Sequence, residues 1–176
     1  MKVGLGFDVH RFQNDRKLML GGIEIPGCPG LEGHSDADVL LHALMDAILG
    51  ALGLGDIGSH FPDDDHKYKN IASSVLLAEV VSLMEKEGFS LNNADLVLIT
   101  EIPRIAPYCN KIEENLSSLL KTNPRFVNLK ASTTERLGFI GRKEGMAAQV
   151  VVSLKNYEEG GENAGRRYYD GRGNYS

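Results

Sequence analysis

The sequence predicts an α/β (α+β) two-layer sandwich, in which a mixed β-sheet carries helices packed on one face. Three observations favour this class. The chain begins with strand-like alternation, continues with an almost wholly apolar helical run over residues 39–52, and then alternates strands with helices. Its 176 residues, 42% of them hydrophobic, are enough for one domain with a sizeable core. We therefore expect a single domain over residues 1–155, without internal repeats.

The first predicted elements are β-strands. Residues 1–10 alternate between the two faces of an extended segment, as a half-buried strand does. The stretch KLMLGGIEIP then joins two short apolar runs through Gly21 and Gly22. Two glycines between apolar runs are typical of a two-residue hairpin turn, so the amino-terminal part is predicted to be β-structure.

Helical character begins with GHSDADVLLHALMDAILGALGLG. Ser35 and Asp38 have the spacing of a capping box ahead of the apolar run, so we expect the helix cap there. A helix that is apolar on nearly every side is buried on nearly every side. A second helix is predicted over residues 70–87, and Gly88 ends it.

The remaining elements follow from the same patterns. We predict a strand over residues 96–100, a helix with one apolar stripe over 107–121, and strands over 126–131 and 146–154. Residues 156–176 are rich in glycine, tyrosine and charge without periodicity, which predicts a disordered tail.

Composition limits the partners of the chain. The formal charge of −5 and the isoelectric point near 5.5 disfavour binding to nucleic acid or to an anionic membrane surface. No apolar segment has the length of a membrane span, and the first residues lack the apolar region of a signal peptide. Cys28 and Cys109 match no zinc spacing and are expected to be reduced thiols. We expect a cytoplasmic bacterial protein, or one of the plastid stroma if the chain is a mature processed form.

The motif FDVH, residues 7–10, carries the first functional signal. In a strand, Asp8 and His10 point to one face, about 7 Å apart at Cα, while Phe7 and Val9 point to the other. Two metal-capable side chains on one face are half of a metal site. The alternative is that Asp8 accepts a hydrogen bond from His10 or caps a turn at the end of the strand.

The predicted buried helix offers a third ligand. Asp38, His42 and Asp46 follow one another at intervals of four residues and form one polar stripe, where a buried charge must be paired or bound to metal. Asp8, His10 and His42 together suit tetrahedral zinc with its fourth position open, and an open position suggests catalysis. The alternative is a core histidine that forms salt bridges with Asp38 and Asp46, and spacing does not decide between the two.

Three further stretches carry polar chemistry. KASTTER places Lys130 and three hydroxyls beside Glu135 after a strand, as expected where phosphates and a magnesium or manganese ion are held. FPDDDH bunches three carboxylates and is either a ligand loop or a solvated acidic loop. His34 either donates to an anion near the helix start or only caps the helix. The sequence contains none of the common motifs for a protein nucleophile or a phosphate-binding glycine loop.

These stretches resemble one family closely. GFDVHRF, GHSDADVLLHALMDAILGALGLGDIG, FPDDD, EIPRIAPY and KASTTERLGFIGRKEG are similar, in order and without gaps, to the motifs of 2-C-methyl-D-erythritol 2,4-cyclodiphosphate synthases. The resemblance covers residues 1–155. It implies a lyase of the non-mevalonate isoprenoid pathway that converts 4-diphosphocytidyl-2-C-methyl-D-erythritol 2-phosphate to the cyclic diphosphate and CMP. It also implies a homotrimer with active sites between subunits, which would account for a helix buried on all sides.

The same resemblance assigns roles by position. Asp8, His10 and His42 would bind zinc, and Glu135 would hold the magnesium or manganese ion that bridges the two diphosphate phosphates. His34 and Thr133 would be the catalytic residues, because they would position the reacting phosphates and stabilise the transition state. The methylerythritol side would be lined by Ser35, Asp56, Ile57, Gly58, Phe61, Pro62, Asp63, Asp64 and Asp65. The cytidine end would be held from the adjacent subunit by Thr100, Glu101, Ile102, Pro103, Arg104, Ile105, Ala106, Ser132, Thr133 and Thr134, with Phe139 and Arg142 completing the pocket.

The implied chemistry agrees with the residue types. The substrate's own 2-phosphate is the nucleophile, so a protein nucleophile is not required, and catalysis consists of positioning and charge neutralisation. Two other functions fit parts of the pattern: a zinc-dependent phosphohydrolase of a phosphoanhydride, and a non-catalytic trimer that binds isoprenoid phosphates. A structural zinc site normally has four protein ligands, often cysteines, which disfavours the non-catalytic alternative.

Overall fold

The computed structural model describes residues 1–62, 68 and 71–156. Its strands are β1 (Lys2–Gln13), β2 (Leu18–Leu20), β3 (Ile23–Ile25), β4 (Gly30–Leu31), β5 (Phe89–Ile99), β6 (Val127–Ser132) and β7 (Gly145–Asn156). Five of them form one sheet in the order β4–β1–β7–β5–β6. β5 and β6 are parallel and the other neighbours are antiparallel, so the predicted mixed sheet is confirmed.

β2 and β3 form a separate antiparallel hairpin. The two residues between the strands are Gly21 and Gly22, and their φ angles of 58° and 76° lie in the left-handed region that glycine adopts without strain. The hairpin predicted from KLMLGGIEIP is therefore confirmed.

The helices are α1 (Val39–Leu52), α2 (Ile57–His60), α3 (Ser73–Lys86), α4 (Cys109–Leu119) and α5 (Gly138–Gly141). α1 packs on β1 and β7, α3 on α1 and β5, and α4 on β6, so the long helices cover one face of the sheet as predicted. Among the described residues, no helix has both the length and the apolar content needed to cross a membrane.

Several predicted boundaries differ from the structure, and those of β5 and β7 change the length of the sheet. The strand predicted over residues 96–100 is β5, which already begins at Phe89, because a β-bulge at Asn92 and Asn93 interrupts its alternation. β7 continues to Asn156, which pairs with Phe89, so this first residue of the predicted tail belongs to the sheet. The rest of the tail, residues 157–176, lies outside the described residues, as does residue 70, the first of the predicted second helix.

The contact between β1 and α1 is unusually close because β1 presents glycines to the helix. A Cβ atom at Gly4 would lie 1.9 Å from the carbonyl oxygen of Ala47, and one at Gly6 would lie 1.9 Å from that of Ala43. These positions alternate with outward-facing apolar residues, so β1 has one glycine face and one apolar face. The glycine face brings the backbone of β1 against the backbone of α1.

The predicted burial of α1 is confirmed, but its predicted cause is wrong. Twelve residues of this helix are buried within the single chain, so a partner subunit is not needed to cover it. Among the described residues, a row of exposed apolar side chains lies instead on the opposite face of the sheet. We call it the outer row, and it comprises Val3, Leu5, Phe7, Val9 and Val151, which are 42–62% exposed.

Candidate metal centre and substrate pocket

Three side chains meet where β1 approaches α1. Asp8 and His10 extend from the glycine face of β1, as the strand period predicted, and His42 extends from the beginning of α1. Asp8 Oδ2 lies 2.9 Å from His10 Nε2 and 3.1 Å from His42 Nδ1, and these two ring nitrogens are 3.0 Å apart. One ligand-capable atom from each residue therefore points to a common centre.

Hydrogen bonds on the far side of each ring orient both imidazoles. His10 Nδ1 donates to the carbonyl oxygen of Glu32 over 2.6 Å, which leaves the lone pair on Nε2. His42 Nε2 lies 3.1 Å from Ser35 Oγ and 3.0 Å from Ser73 Oγ. Donation from Nε2 to these hydroxyls leaves the lone pair of His42 on Nδ1. Two ring lone pairs and a carboxylate oxygen then face one another, an arrangement that a cation satisfies.

The ionisation of Asp8 and His10 is linked. Burial acts to raise the pKa of the Asp8 carboxyl, but the adjacent imidazoles of His10 and His42, when protonated, outweigh it and hold that pKa well below its usual range. Burial likewise acts to lower the pKa of His10, but the Asp8 carboxylate more than compensates, and the pKa lies above its usual value. The cluster thus favours an ionised Asp8 beside positive charge.

The alternative in which Asp38 and Asp46 form salt bridges with His42 is wrong. Asp38 precedes α1 as its N-cap, so its carboxylate turns to the backbone and accepts from the N–H groups of Gly21, Gly22 and Leu41 at 2.7–3.1 Å. Asp46 accepts from the backbone N–H of Ile57 at 2.8 Å. The expected cap at Ser35 is also wrong, because the helix begins only after Asp38.

Asp8, His10 and His42 are called the metal cluster below, because they could together hold a metal ion. A cavity of about 320 Å³ opens over this cluster. It is lined by Asp8, His10, Gly33, His34, Ser35, His42, Ile57, Gly58, Phe61, Tyr68 and Leu76. The structure therefore places His34, Ser35, Ile57, Gly58 and Phe61 around the same cavity as Asp8, His10 and His42. Asp56 does not line the cavity but caps α2, where its carboxylate accepts the N–H and hydroxyl of Ser59 at 2.8 and 2.7 Å. Pro62 follows Phe61, and Asp63, Asp64 and Asp65 lie outside the described residues.

Sequence reasoning missed three residues of this cavity. Gly33 lies so close to His10 that an added Cβ would be 3.3 Å from the ring carbon Cε1. Tyr68 and Leu76 come from the segment before α3 and from α3 itself. The sequence offers one local signal for Gly33, which is its position between two polar residues. No local pattern marks Tyr68 or Leu76 as part of the cavity.

The residues expected at the cytidine end form a second cluster at the carboxyl ends of β5 and β6. Glu101 Oε1 accepts from the backbone N–H groups of Thr134 and Arg136, both at 3.1 Å, and ties the two loops together. These bonds hold the pKa of Glu101 below its usual value. Thr133 Oγ1 donates to Glu135 Oε1 over 2.8 Å. The loop therefore presents hydroxyls and carboxylates side by side.

The other residues of this expected group have varied positions. Thr100 bonds through its hydroxyl to the backbone of Ile102, and Ile105 is buried. Phe139 borders a second cavity of about 310 Å³ that also touches His10. Arg142 Nε donates to Glu144 over 2.7 Å, so its guanidinium is engaged on the surface of the chain.

The two clusters lie at the same end of the sheet but apart. Val9, Ala147, Ile99 and Ser132 occupy one row across β1, β7, β5 and β6. Three inter-strand steps separate Val9 from Ser132, which is about 14 Å. Of the described residues, none from 100–106 or 132–142 lines the cavity over the metal cluster. A single chain therefore holds the metal cluster and the expected cytidine end as two separate half-sites.

Arg16 holds the loop that carries His34. Its guanidinium donates to the carbonyl oxygens of Gly33 and Ser35, which flank His34 on either side. Sequence reasoning did not select Arg16, because a single arginine in the polar stretch QNDRK has no local signal.

A sequence model described as the YgbB family matches residues 1–155. The chain belongs to the YgbB family. All residues of the two half-sites described above lie within the matched region. This region, residues 1–155, is also the part of the chain that the resemblance in the sequence motifs covers.

Several relatives of this YgbB-family chain are named 2-C-methyl-D-erythritol 2,4-cyclodiphosphate synthase. The one from Halothermothrix orenii is 53% identical over 165 residues, which cover 94% of this chain and 100% of the relative. That from Geobacillus thermodenitrificans is 54% identical over 157 residues, covering 89% of this chain and 98% of the relative. The recognition made from the motifs is thus confirmed.

Solved structures agree in fold. The bifunctional IspDF of Campylobacter jejuni has a TM-score of 0.86 and 45% identity over 89% of this chain, which spans only 42% of that longer protein. A 2C-methyl-D-erythritol-2,4-cyclodiphosphate synthase structure described as bound to CDP has a TM-score of 0.80 and 38% identity, covering 87% of this chain and 99% of its own. The IspF–CDP complex of Plasmodium falciparum has a TM-score of 0.78 and 31% identity, covering 89% and 97%.

Proposed function

We propose that the chain catalyses the conversion of 4-diphosphocytidyl-2-C-methyl-D-erythritol 2-phosphate to 2-C-methyl-D-erythritol 2,4-cyclodiphosphate with release of CMP. The observation that carries this proposal is the convergence of Asp8, His10 and His42 at the base of an open cavity. The synthases named above, which are more than half identical to this chain, supply the reaction. The catalytic unit is the domain over residues 1–155, completed by the last residue of β7.

The donor set of the cluster fits zinc. One carboxylate oxygen and two imidazole nitrogens with their lone pairs turned inward are hard and borderline donors, and three protein ligands leave one position open. Bound there, a zinc ion would supply Lewis acidity and a template for a substrate phosphate. Asp8 contributes the negative charge, and Glu32, Ser35 and Ser73 hold the two rings in orientation.

The cavity over the cluster would receive the methylerythritol part of the substrate. His34 lies on its wall between two clamped carbonyl groups, so its imidazole can position a phosphate and donate to it as charge develops. Ser35, Ile57, Gly58 and Phe61 supply the remaining wall, and the acidic residues after Pro62 would follow it in sequence.

The second half-site would hold the cytidine diphosphate. Glu135 is exposed beside the Thr133 hydroxyl, and carboxylate and hydroxyl oxygens suit magnesium or manganese in contact with substrate phosphates. Thr133 would donate to the phosphate that is attacked. The CDP described in two related structures supports a cytidine ligand here. The loops at residues 100–106 and 132–134 would hold its nucleoside part, with Phe139 and Arg142 at the rim.

A homotrimer would join the two half-sites. Within one chain they lie about 14 Å apart across the sheet, and the reaction needs both ends of one substrate held together. The outer row supplies an apolar surface through which copies can associate, since a continuous exposed strip of this kind is typical of an interface. The site is therefore assembled from the metal cluster of one subunit and the cytidine loops of its neighbour.

In the proposed reaction, no oxygen atom from water enters the products. An oxygen of the substrate's 2-phosphate attacks the β-phosphorus, a new P–O–P bond closes the ring, and the bond to the CMP oxygen breaks. The experiment is turnover in water enriched in oxygen-18, followed by mass spectrometry of the products. We expect CMP and a cyclic diphosphate without the heavy isotope. One heavy oxygen in a linear phosphate product would show a phosphohydrolase instead, and tight binding without product would show a non-catalytic trimer.

The metal assignment has its own experiment. His42→Ala removes one of three ligands, so zinc content and turnover should fall together while circular dichroism shows a folded chain. His60→Ala is the control, because His60 lies on α2 and bonds to the carbonyl of Leu54, outside the cluster. Full zinc occupancy in His42→Ala would refute the ligand assignment.

A further inference from the structure

The Ser73 hydroxyl is fully buried and lies between two polar groups. Its oxygen is 3.0 Å from His42 Nε2 and 2.5 Å from Asp36 Oδ1. Asp36 also accepts the backbone N–H of Ser73 at 3.1 Å, so the carboxylate holds both the start of α3 and its first hydroxyl. Asp36 and Ser73 have no role in the resemblance or in the cavity lining.

The proton positions in this chain follow from what each group can donate. An ionised carboxylate only accepts, so the Ser73 hydroxyl proton points to Asp36 and the oxygen lone pairs face His42. The Asp8 carboxylate oxygen, 3.1 Å from Nδ1, competes for the single proton of the neutral ring. Because the Ser73 lone pairs face Nε2, a proton on Nε2 satisfies both atoms, and the lone pair of Nδ1 stays available to a metal. The Ser35 hydroxyl, 3.1 Å from the same nitrogen, already accepts the N–H of Ala37 at 3.0 Å and lies 3.3 Å from Ser73 Oγ.

We propose that Ser73 and Asp36 are positioning residues that hold His42 as the Nε2–H tautomer and thereby present Nδ1 to the metal. This inference rests on the metal-binding role proposed for the cluster. It goes beyond that role because it identifies the groups that choose the ligating nitrogen and fix the plane of the ring. A carboxylate that polarises a donor chain to a ligating histidine also makes that histidine a better ligand.

The first measurement is zinc affinity. Chelator-treated protein is titrated with zinc against a chromophoric zinc indicator, for the wild type, Ser73→Ala and Asp36→Asn. Loss of an outer hydrogen-bond partner of a metal ligand costs about 10- to 100-fold in affinity, and we expect both variants to fall in this range. Ser74→Ala is the matched control, because it removes the same group from the next residue of α3, and its affinity should equal that of the wild type.

The second measurement separates positioning from a general loss of structure. NMR of the histidine side chains in zinc-free protein, at a pH where the rings are neutral, should show His42 protonated on Nε2 in the wild type. Ser73→Ala should lose this preference while its helix content is unchanged. Asp36→Asn can donate as well as accept, so the Ser73 proton is no longer fixed in direction, and this variant serves if Ser73→Ala does not fold.

The outcomes distinguish this inference from the proposed function. Wild-type zinc affinity in both variants, or a His42 proton on Nδ1 in the wild type, would overturn the positioning role. A wild-type chain that binds no zinc would instead refute the metal role of the cluster itself.

Discussion

Replacement of Gly6 by alanine tests whether the close contact between β1 and α1 sets the geometry of the metal centre. Gly6 precedes Asp8 by two residues on the same face of β1, and the carbonyl that it faces belongs to Ala43, the residue after His42. A displacement of β1 from α1 at this point therefore acts on the distance between Asp8 and His42.

The expected displacement follows from the structure. The added methyl carbon would lie 1.9 Å from the carbonyl oxygen of Ala43, and ordinary contact begins at 3.4 Å, so the two backbones must separate by about 1.5 Å. Neither side can relieve the clash by changing a rotamer. Overpacking of this kind costs about 1–3 kcal/mol, and a fixed backbone contact favours the upper end. For a chain of this size, about 3 kcal/mol lowers the Tm by about 6–12 °C.

The assay combines thermal unfolding with zinc titration. Metal ligands tolerate about 0.2 Å of displacement, so Gly6→Ala should lose zinc affinity by far more than its loss of stability alone would cause. Gly50→Ala is the matched control on the facing helix, because its nearest neighbour would be the carbonyl oxygen of Leu5 at 4.0 Å. That change should raise the Tm slightly, since alanine favours a helix by about 1 kcal/mol over glycine. A Gly6→Ala variant with wild-type Tm and zinc affinity would refute the reasoning.

Three further predictions follow from other contacts. Leu5→Glu places a charge in the outer row and should shift the mass in light scattering from three 19.2-kDa chains towards one. Val75→Glu, which places the same charge on the helical layer, should leave the mass unchanged. Equal masses for the two variants would exclude the outer row as the interface. Arg16→Gln frees both carbonyls that flank His34 and should lower kcat by up to about 100-fold. Lys17→Gln, at the exposed neighbouring residue, is the control. An unchanged kcat in Arg16→Gln would show that Arg16 does not position His34. The Glu101 carboxyl has a pKa below its usual 4.5 because it accepts the N–H of Arg136. Its contribution to the free energy of unfolding is therefore present above pH 4.5 and is lost as the pH falls through the pKa of the folded state. The stability difference between wild type and Glu101→Gln, from denaturant unfolding at several pH values, should therefore shrink on acidification, and a constant difference would contradict this role.

Local patterns were sufficient for most elements and for half of the metal centre. The period of a strand places Asp8 and His10 on one face wherever the strand lies, because successive side chains alternate irrespective of the rest of the fold. The same logic identified the glycine hairpin and the apolar helix α1. It failed for Asp38, since the four-residue stripe assumed that this residue lies inside the helix, whereas a cap residue has extended backbone and turns its carboxylate to Gly21 and Gly22.

Distances between elements could not be read from any local pattern. His42 meets Asp8 only because Gly4 and Gly6 let α1 approach β1, and periodicity does not specify which helix packs on which strand. Ser73 contacts His42 across 31 residues of sequence, and Arg16 contacts the carbonyl of Gly33 across 17. Both contacts exist only in the folded chain. The same holds for the apolar residues: composition predicted that α1 is buried, but only the packed chain shows that its own sheet and α3 bury it. The outer row, on the opposite face of the sheet, stays exposed in the single chain, and for this reason we propose it as the surface through which copies associate.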